Sequence, residues 1–322
     1  MKKVTVVGGG TGTYVVLSGL KGHDLDLGAI VTMMDSGGST GKLRDQLEVL
    51  PPGDLRQSFV ALSDAPDLWR KLFLYRFESG DLKGHNFGNI FLSALEKVSR
   101  DYDEVIKTTS YVLKTKGKVI PVTYEKTDIA CEYENGSILE GEGLIDENNT
   151  ETSRIKKAYL LKSVQPNKKA ISRIEKSDFI IIGPGDLYTS IIPVLLVPGI
   201  QSAMVSTKAK IVYILNLMTK SGQTTGYTAV DHIEDLTRYM GRRPDIVIVN
   251  SGVIPKNILK WYEADGELPV VNDLVENNSQ KVIKKDIIDT SPVEKNIADE
   301  VTRSILRHSS DKLATAILDL LT

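Results

Sequence analysis

Val4–Thr13 reads VTVVGGGTGT, and Met33–Gly41 reads MMDSGGSTG. Both are glycine-rich loops that end an apolar run and lead toward a helix, an arrangement that offers backbone N–H groups to phosphate. The chemistry is therefore binding of a nucleotide or dinucleotide. The first loop supplies Gly9, Gly10, Thr11 and Gly12, and the second supplies Gly37, Gly38 and Ser39. Thr40, Lys42 and Arg44 add oxyanion donors, although Lys42 and Arg44 would serve equally as solvated helix charges. Asp35 ends the second apolar run, where an acid commonly meets a ribose hydroxyl.

Further candidates follow along the chain. Asp54 in PPGDLR is placed to cap the helix running through Leu62, which leaves catalysis the minor reading for it. GHNFGN carries His85, Asn86 and Asn89 at the start of an apolar helix; the asparagines could donate to a ligand, and Asn86 could instead only cap. His85 has no acid nearby in sequence to orient it as a general acid or base. The apolar run ending at Ile182 leads into Gly183-Pro184-Gly185, and the strand Lys210–Leu215 leads into Asn216. Arg307 precedes the last helix as a phosphate or carboxylate partner, or as half of a structural ion pair. No nucleophile–base pair emerges.

The elements that position these residues alternate between strand and helix. Val4–Val7 is β-branched and reads as a central parallel strand, Tyr14 to Leu20 as its helix, and Leu25 to Met34 as the second strand. The loop departs from G-x-G-x-x-G because Thr13 holds the third glycine position, which argues against a standard NAD-dependent dehydrogenase. Trp69 to Phe77 reads as a helix with Trp69, Leu72, Phe73 and Phe77 at core spacing. Residues 116–164 form a β-rich excursion, with strands at Lys118–Thr123, Asp128–Glu134 and Ser137–Ile145 and a hairpin at Asn135-Gly136. Asp146 to Lys157 reads as a polar surface connection, and no catalytic constellation is legible within the excursion. Strands then recur near Phe179, Lys210 and Asp245, and the lysines of Lys281–Ile288 suit an edge strand. The expected architecture is one Rossmann-like α/β domain over residues 1–322, a mostly parallel sheet with helices on both faces and the β-rich insertion within it.

Composition limits the partners. With 322 residues, 41% hydrophobic and 25% charged, the chain can bury a large core. Forty Lys+Arg against 42 Asp+Glu give a net charge of -2, so no overall positive field recruits nucleic acid. The single cysteine, Cys131, sits in a strand-like run and reads as a structural thiol, consistent with a reducing compartment. Met1-Lys2-Lys3 runs directly into a strand without the apolar core of a secretory signal. Ile191 to Ile200, interrupted by Pro193 and Pro198, falls short of a membrane span. These features lead to the expectation of a soluble, cytoplasmic protein without membrane insertion.

Taken in order, GGGTGT, DSGGSTGKLR, PPGDLR, GHNFGN, IGPGDLYTSIIPVLLVPGI and NLMT…DH resemble the motif series of the YvcK-type gluconeogenesis factors, relatives of 2-phospho-L-lactate transferase. The resemblance runs from Lys3 to the Arg307 region and is weaker in the insertion and around 263–300. It implies a nucleotide-containing ligand, a UDP-sugar or NAD, and a regulatory role in cell shape and envelope synthesis on gluconeogenic carbon sources. An envelope-synthesis protein as partner and a homo-oligomer are compatible with it. By motif position the ligand residues are Gly9, Gly10, Thr11, Gly12, Asp35, Gly37, Gly38, Ser39, Asn86, Asn89, Gly183, Gly185, Asn216 and Arg307, with Tyr262 a weaker candidate. The alternative it implies is a transferase that uses Mg²⁺ held by Asp35, with Asp54, to support attack on a diphosphate ester. Ser36 and Val194 depart from the Asp or Asn and the Asn common in the family; Ser36 removes a metal or ribose ligand and so disfavours the transferase.

Overall fold

A computed structural model describes residues 1–276, 280–291 and 305–321. Its centre is a seven-stranded parallel sheet built from β1 (Lys2–Gly8), β2 (Leu25–Val31), β3 (Lys118–Pro121), β7 (Phe179–Ile182), β8 (Lys210–Ile214), β9 (Ile246–Asn250) and β10 (Lys281–Lys285). The spatial order is β10-β9-β8-β7-β1-β2-β3. Val4, Val6 and Val7 of β1 are completely buried, as a strand with neighbours on both sides and helices over both faces requires. Full burial of each such side chain contributes about 1.5–3 kcal/mol before chain entropy is counted.

The order of the strands creates the site. From β1 the chain builds outward through β2 to β3, then returns to place β7 on the other side of β1 and continues outward to β10. The loops leaving β1 and β7 therefore diverge, and open parallel sheets bind ligands in the crevice formed at the carboxyl ends of such a pair. Val7 is in register with Ile182, so the first glycine loop and Gly183-Pro184-Gly185 leave the sheet at the same level.

Three helices start at this edge: α1 (Gly10–Leu20), α2 (Gly38–Leu47) and α3 (Gly53–Leu62). Then come α4 (Asp67–Leu74) and α5 (Phe87–Val98). The helix expected over Trp69 to Phe77 ends at Leu74, and Phe73 is its one buried residue. Trp69 is 40% exposed because its side of α4 faces solvent.

The excursion is a three-stranded antiparallel sheet of β4 (Ile129–Tyr133), β5 (Ile138–Glu140) and β6 (Ile155–Leu160), with β4 in the middle. Lys118–Pro121, expected to open it, instead pairs in parallel with β2 as the edge of the main sheet. Residues after Glu140 turn into the short helix Glu142–Glu147, which replaces the second half of the expected strand Ser137–Ile145. Cys131 is fully buried in β4, which pushes its thiol pKa up to about 12. Near the carboxyl terminus Ile288–Asp289 pairs antiparallel with Arg307–His308, carrying Arg307 back to the sheet edge before the final helix Ser310–Leu321. Among the described residues no single helix is long and apolar enough to cross a membrane.

Candidate functional site

A cleft of about 260 Å³ opens at the β1/β7 crevice. Its floor is the helix end of the first loop. Gly10 takes φ +64, a left-handed conformation that glycine enters without a Cβ penalty. Gly12 lets α1 press against the β7 loop, since a Cβ there would lie 1.9 Å from the Pro184 carbonyl oxygen. Neither the α1 cap residue, Gly9, nor the α2 cap residue, Gly37, has a side chain to satisfy the first-turn amides. Two positive helix ends thus face one cavity.

Twelve of the predicted residues line the cleft: Gly9, Gly10, Thr11, Gly12, Asp35, Gly37, Gly38, Ser39, Asn89, Gly185, Asn216 and Arg307. Asn86 and Gly183 do not. Asn86 is 2% exposed and caps α5, its side-chain oxygen accepting from the Gly88 and Asn89 amides at 2.9 and 3.3 Å. Its Nδ2 donates to the Leu74 carbonyl, so the fold uses both ends of the amide. Gly183 sits one step behind the cleft wall and donates its N–H to the Val7 carbonyl. Asn89 does reach the cleft: its Oδ1 accepts from Arg56 Nε at 2.8 Å, and its Nδ2 lies 3.4 Å from Ser39 Oγ and Thr40 Oγ1. Asn216 Nδ2 donates to the Gly185 carbonyl and fixes the β7 loop. Ser39 Oγ is 3.3 Å from His85 Nδ1.

Asp54 is not the helix cap that its position after Pro52-Gly53 suggests. Pro52 is the cap residue of α3, and Asp54 Oδ1 instead accepts the Gly10 N–H at 2.7 Å. Asp35 Oδ1 accepts the Gly37 N–H at 3.0 Å and shapes the second loop. Asp231 sits three residues into its helix as the reciprocal half of a capping box with Thr228.

The opposite wall was not legible in the sequence. The helix Glu142–Glu147 covers the cleft and is fastened on two sides. Glu142 accepts the Ser36 N–H at 3.1 Å, and Ser36 Oγ accepts the Gly143 N–H at 2.8 Å. At the other end Asp146 is 3.3 Å from Gln223 Nε2 and 3.7 Å from Lys220 Nζ. Asp186 and Glu267 complete this side, together with Tyr262, the weaker candidate of the motif series. These acids are spread from residue 142 to residue 267, and only Asp186 lies in a motif that draws the eye.

Crowding sets their charge. Burial, reinforced by Asp35 and Asp146, raises the Glu142 pKa well above the usual carboxylate range. Burial and the neighbouring Asp146 push Asp186 up to about 7. Burial works against the Lys220 ammonium, but Asp146, Asp186 and Glu267 outweigh it and raise its pKa. Seven acidic side chains line the cleft against four arginines and lysines. The arrangement suits a ligand whose anionic part sits over the helix ends while its hydroxyl and amide donors meet the acids. Among the described residues no group of three or more His, Cys, Asp or Glu side chains could hold a metal ion. A Mg²⁺ would fit here as it does in nucleotide sites, on one or two carboxylates such as Asp35 and Asp54 together with ligand phosphates.

Comparisons with known proteins identify the family and the fold. The family model described as 2-phospho-L-lactate transferase CofD matches residues 4–288. The gluconeogenesis factor of Bacillus subtilis (strain 168) is 40% identical over 99% of this chain and 98% of its own. That of Listeria innocua is 38% identical over 99% and 95% of the two chains. The crystal structure of a member of the UPF0052 family from Bacillus halodurans superposes with a TM-score of 0.89 at 37% identity, covering 98% of each chain.

Proposed function

The chain belongs to the CofD family, and from that premise we propose that it is a nucleotide-binding regulatory protein whose ligand is a UDP-sugar or an NAD-like dinucleotide. The observation that carries this is the convergence of the α1 and α2 amino termini, both capped by glycine, on one cleft at the β1/β7 crevice. The diphosphate lies over Gly9–Gly12 and Gly37–Ser39. Asp35 takes a ribose hydroxyl, and Asn89, Gly185, Asn216 and Arg307 border the remainder of the ligand. Binding reports nucleotide supply, in keeping with the gluconeogenesis factors among the relatives, and the output concerns cell shape and envelope synthesis on gluconeogenic carbon sources. Such a protein works in the cytoplasm on a small-molecule ligand, without nucleic acid or membrane insertion.

The test is a calorimetric and thermal-shift titration with UDP-N-acetylglucosamine, UDP-glucose, NAD and GDP, each with and without Mg²⁺. At about 100 times the dissociation constant a ligand stabilises the fold by about 2.7 kcal/mol. Metal-independent binding of a UDP-sugar recovered intact supports the regulator, and silence from all four ligands removes it.

One observation favours a second reading. Asp35 and Asp54 line the same cleft as the helix ends, as a Mg²⁺-dependent transferase of the 2-phospho-L-lactate type would require. Bound Mg²⁺ would neutralise the diphosphate and the nucleoside monophosphate that leaves when an acceptor attacks it; these two carboxylates would hold the ion. Ser36, spent on fastening the Glu142–Glu147 helix, adds no third carboxylate. Diphosphate cleavage that requires both metal and an acceptor would establish this reading over the first.

A further inference from the structure

At the other edge of the sheet, where β1, β2 and β3 begin, lies a second and larger concavity of about 1360 Å³. Its floor is apolar: Ile106 and Val112 come from the helix Tyr102–Leu113, and Val119 and Ile120 from edge strand β3. Tyr111 stands on its rim 84% exposed, and Trp69 of α4 is 40% exposed beside it. Aromatic rings left this open next to an apolar floor are characteristic anchors for a partner.

The rim is basic. Lys107, Lys114, Lys118, Lys168 and Lys176 surround the groove, all exposed. Among the described residues none of these five forms an ion pair, whereas the adjacent Lys169 is held by Asp103 at 2.6 Å. Asp26 is the one acid that lines the groove, and Arg173 binds it at 2.7 Å. A chain of net charge -2 has thus gathered five lysines without close ion pairs around an apolar concavity. Such segregation steers an anionic partner and penalises a cationic one.

We infer that this groove docks an acidic amphipathic helix of a partner protein. The size fits: a helix about 10–12 Å across that rises about 1.5 Å per residue would fill the groove with roughly two and a half turns. A small molecule would leave much of it empty, since ligand pockets commonly measure about 300–1,000 Å³. A flat membrane surface would miss the recessed floor. In the docked state the apolar stripe of the partner helix meets Ile106, Tyr111 and Val112, and its flanking carboxylates reach the lysines. The groove and the nucleotide cleft occupy opposite edges of one rigid sheet, so both can be filled at once.

The probe is a fluorescent synthetic helix of about sixteen residues, with leucine and phenylalanine on one face and glutamate on the other. It is titrated into the full chain by anisotropy. An isomer with lysine for glutamate, phosphatidylglycerol vesicles and single-stranded DNA are run in parallel. The acidic helix should bind, and the Lys107→Glu/Lys114→Glu/Lys176→Glu variant should weaken it at least about tenfold. Tyr111→Ala should also weaken it. Raising NaCl from about 50 mM to about 500 mM should do the same. Circular dichroism melts of the variants, altered only at exposed positions, check that they remain folded. No binding of the acidic helix, equal binding of both helices, indifference to the lysine variant, or a preference for vesicles or DNA would each overturn the proposal.

Discussion

The carboxylate of Asp54, in the first turn of α3, accepts the backbone N–H of Gly10, the first residue of α1, at 2.7 Å. One amide at the mouth of the phosphate loop is thereby already satisfied, and the first turns of two helices are tied together across 44 residues of sequence. Asp54 is 7% exposed and Gly10 half-buried, so the bond sits at the wall of the cleft.

Removing that acceptor strands a donor. Asp54→Ala should cost about 1.5–3 kcal/mol in urea unfolding, the range for a hydrogen bond to a charged group. Asp54→Asn keeps an acceptor oxygen and should retain most of that stability. Equal losses for the two variants would mean that the hydrogen bond to Gly10 is not what holds the helices.

Gly12 and Gly22 give a paired test of close approach. Gly12→Ala would place a methyl 1.9 Å from the Pro184 carbonyl oxygen and should destabilise by about 1–3 kcal/mol while weakening ligand binding. Gly22 has nothing within 4 Å of the same position, and Gly22→Ala should stay within about 0.5 kcal/mol of wild type. Thermal melts of the two variants side by side check this.

Asn86 should behave as a structural residue. Asn86→Ala removes the α5 cap and should cost about 1–2 kcal/mol. Asn86→Asp keeps an acceptor for the Gly88 and Asn89 amides but loses the donor to the Leu74 carbonyl, so it should recover only part of that stability while leaving ligand affinity unchanged. Loss of affinity in a fully folded Asn86→Asp protein would return Asn86 to the ligand site.

The acids over the cleft predict an unusual pH dependence. Asp186 has its folded-state pKa pushed up from 3.8 to about 7 by burial and by Asp146. Below 3.8 both states are protonated and the group contributes nothing. As pH rises from there toward 7, the unfolded chain gives up this proton first, so stability falls; above 7 the penalty is constant. Asp186→Asn should therefore gain stability over wild type progressively between about pH 4 and about pH 7 in parallel melting curves. A gap that is widest at acid pH would contradict the assignment.

Local signals made much of the fold legible. The valines of β1, the isoleucines of β7 and the lysines of edge strand β10 follow from strand physics, and the glycine loops mark the strand ends at which the cleft opens. What was hidden is the second wall. Glu142 and Asp146 lie in a stretch that reads as strand and polar connection, and their meeting with Asp186, Lys220 and Glu267 depends on how the excursion folds back over the sheet. Likewise β3 reads by its sequence as part of the β-rich excursion; only its pairing with β2 assigns it to the main sheet. Asn86 shows the converse case, since one side chain can cap a helix or meet a ligand and local sequence does not distinguish the two.

The central claim is that the diphosphate of a nucleotide ligand rests on the α1 and α2 amino termini. The most direct measurement is calorimetric titration of UDP-N-acetylglucosamine into wild type, Gly10→Ala and Asp35→Ala. Gly10→Ala strains a residue at φ +64 in the first loop, and Asp35→Ala removes the acceptor that shapes the second. The account predicts that wild type binds and that both folded variants bind at least about tenfold more weakly, a loss of about 1.4 kcal/mol or more. Unchanged affinity in both variants would place the ligand elsewhere on the protein.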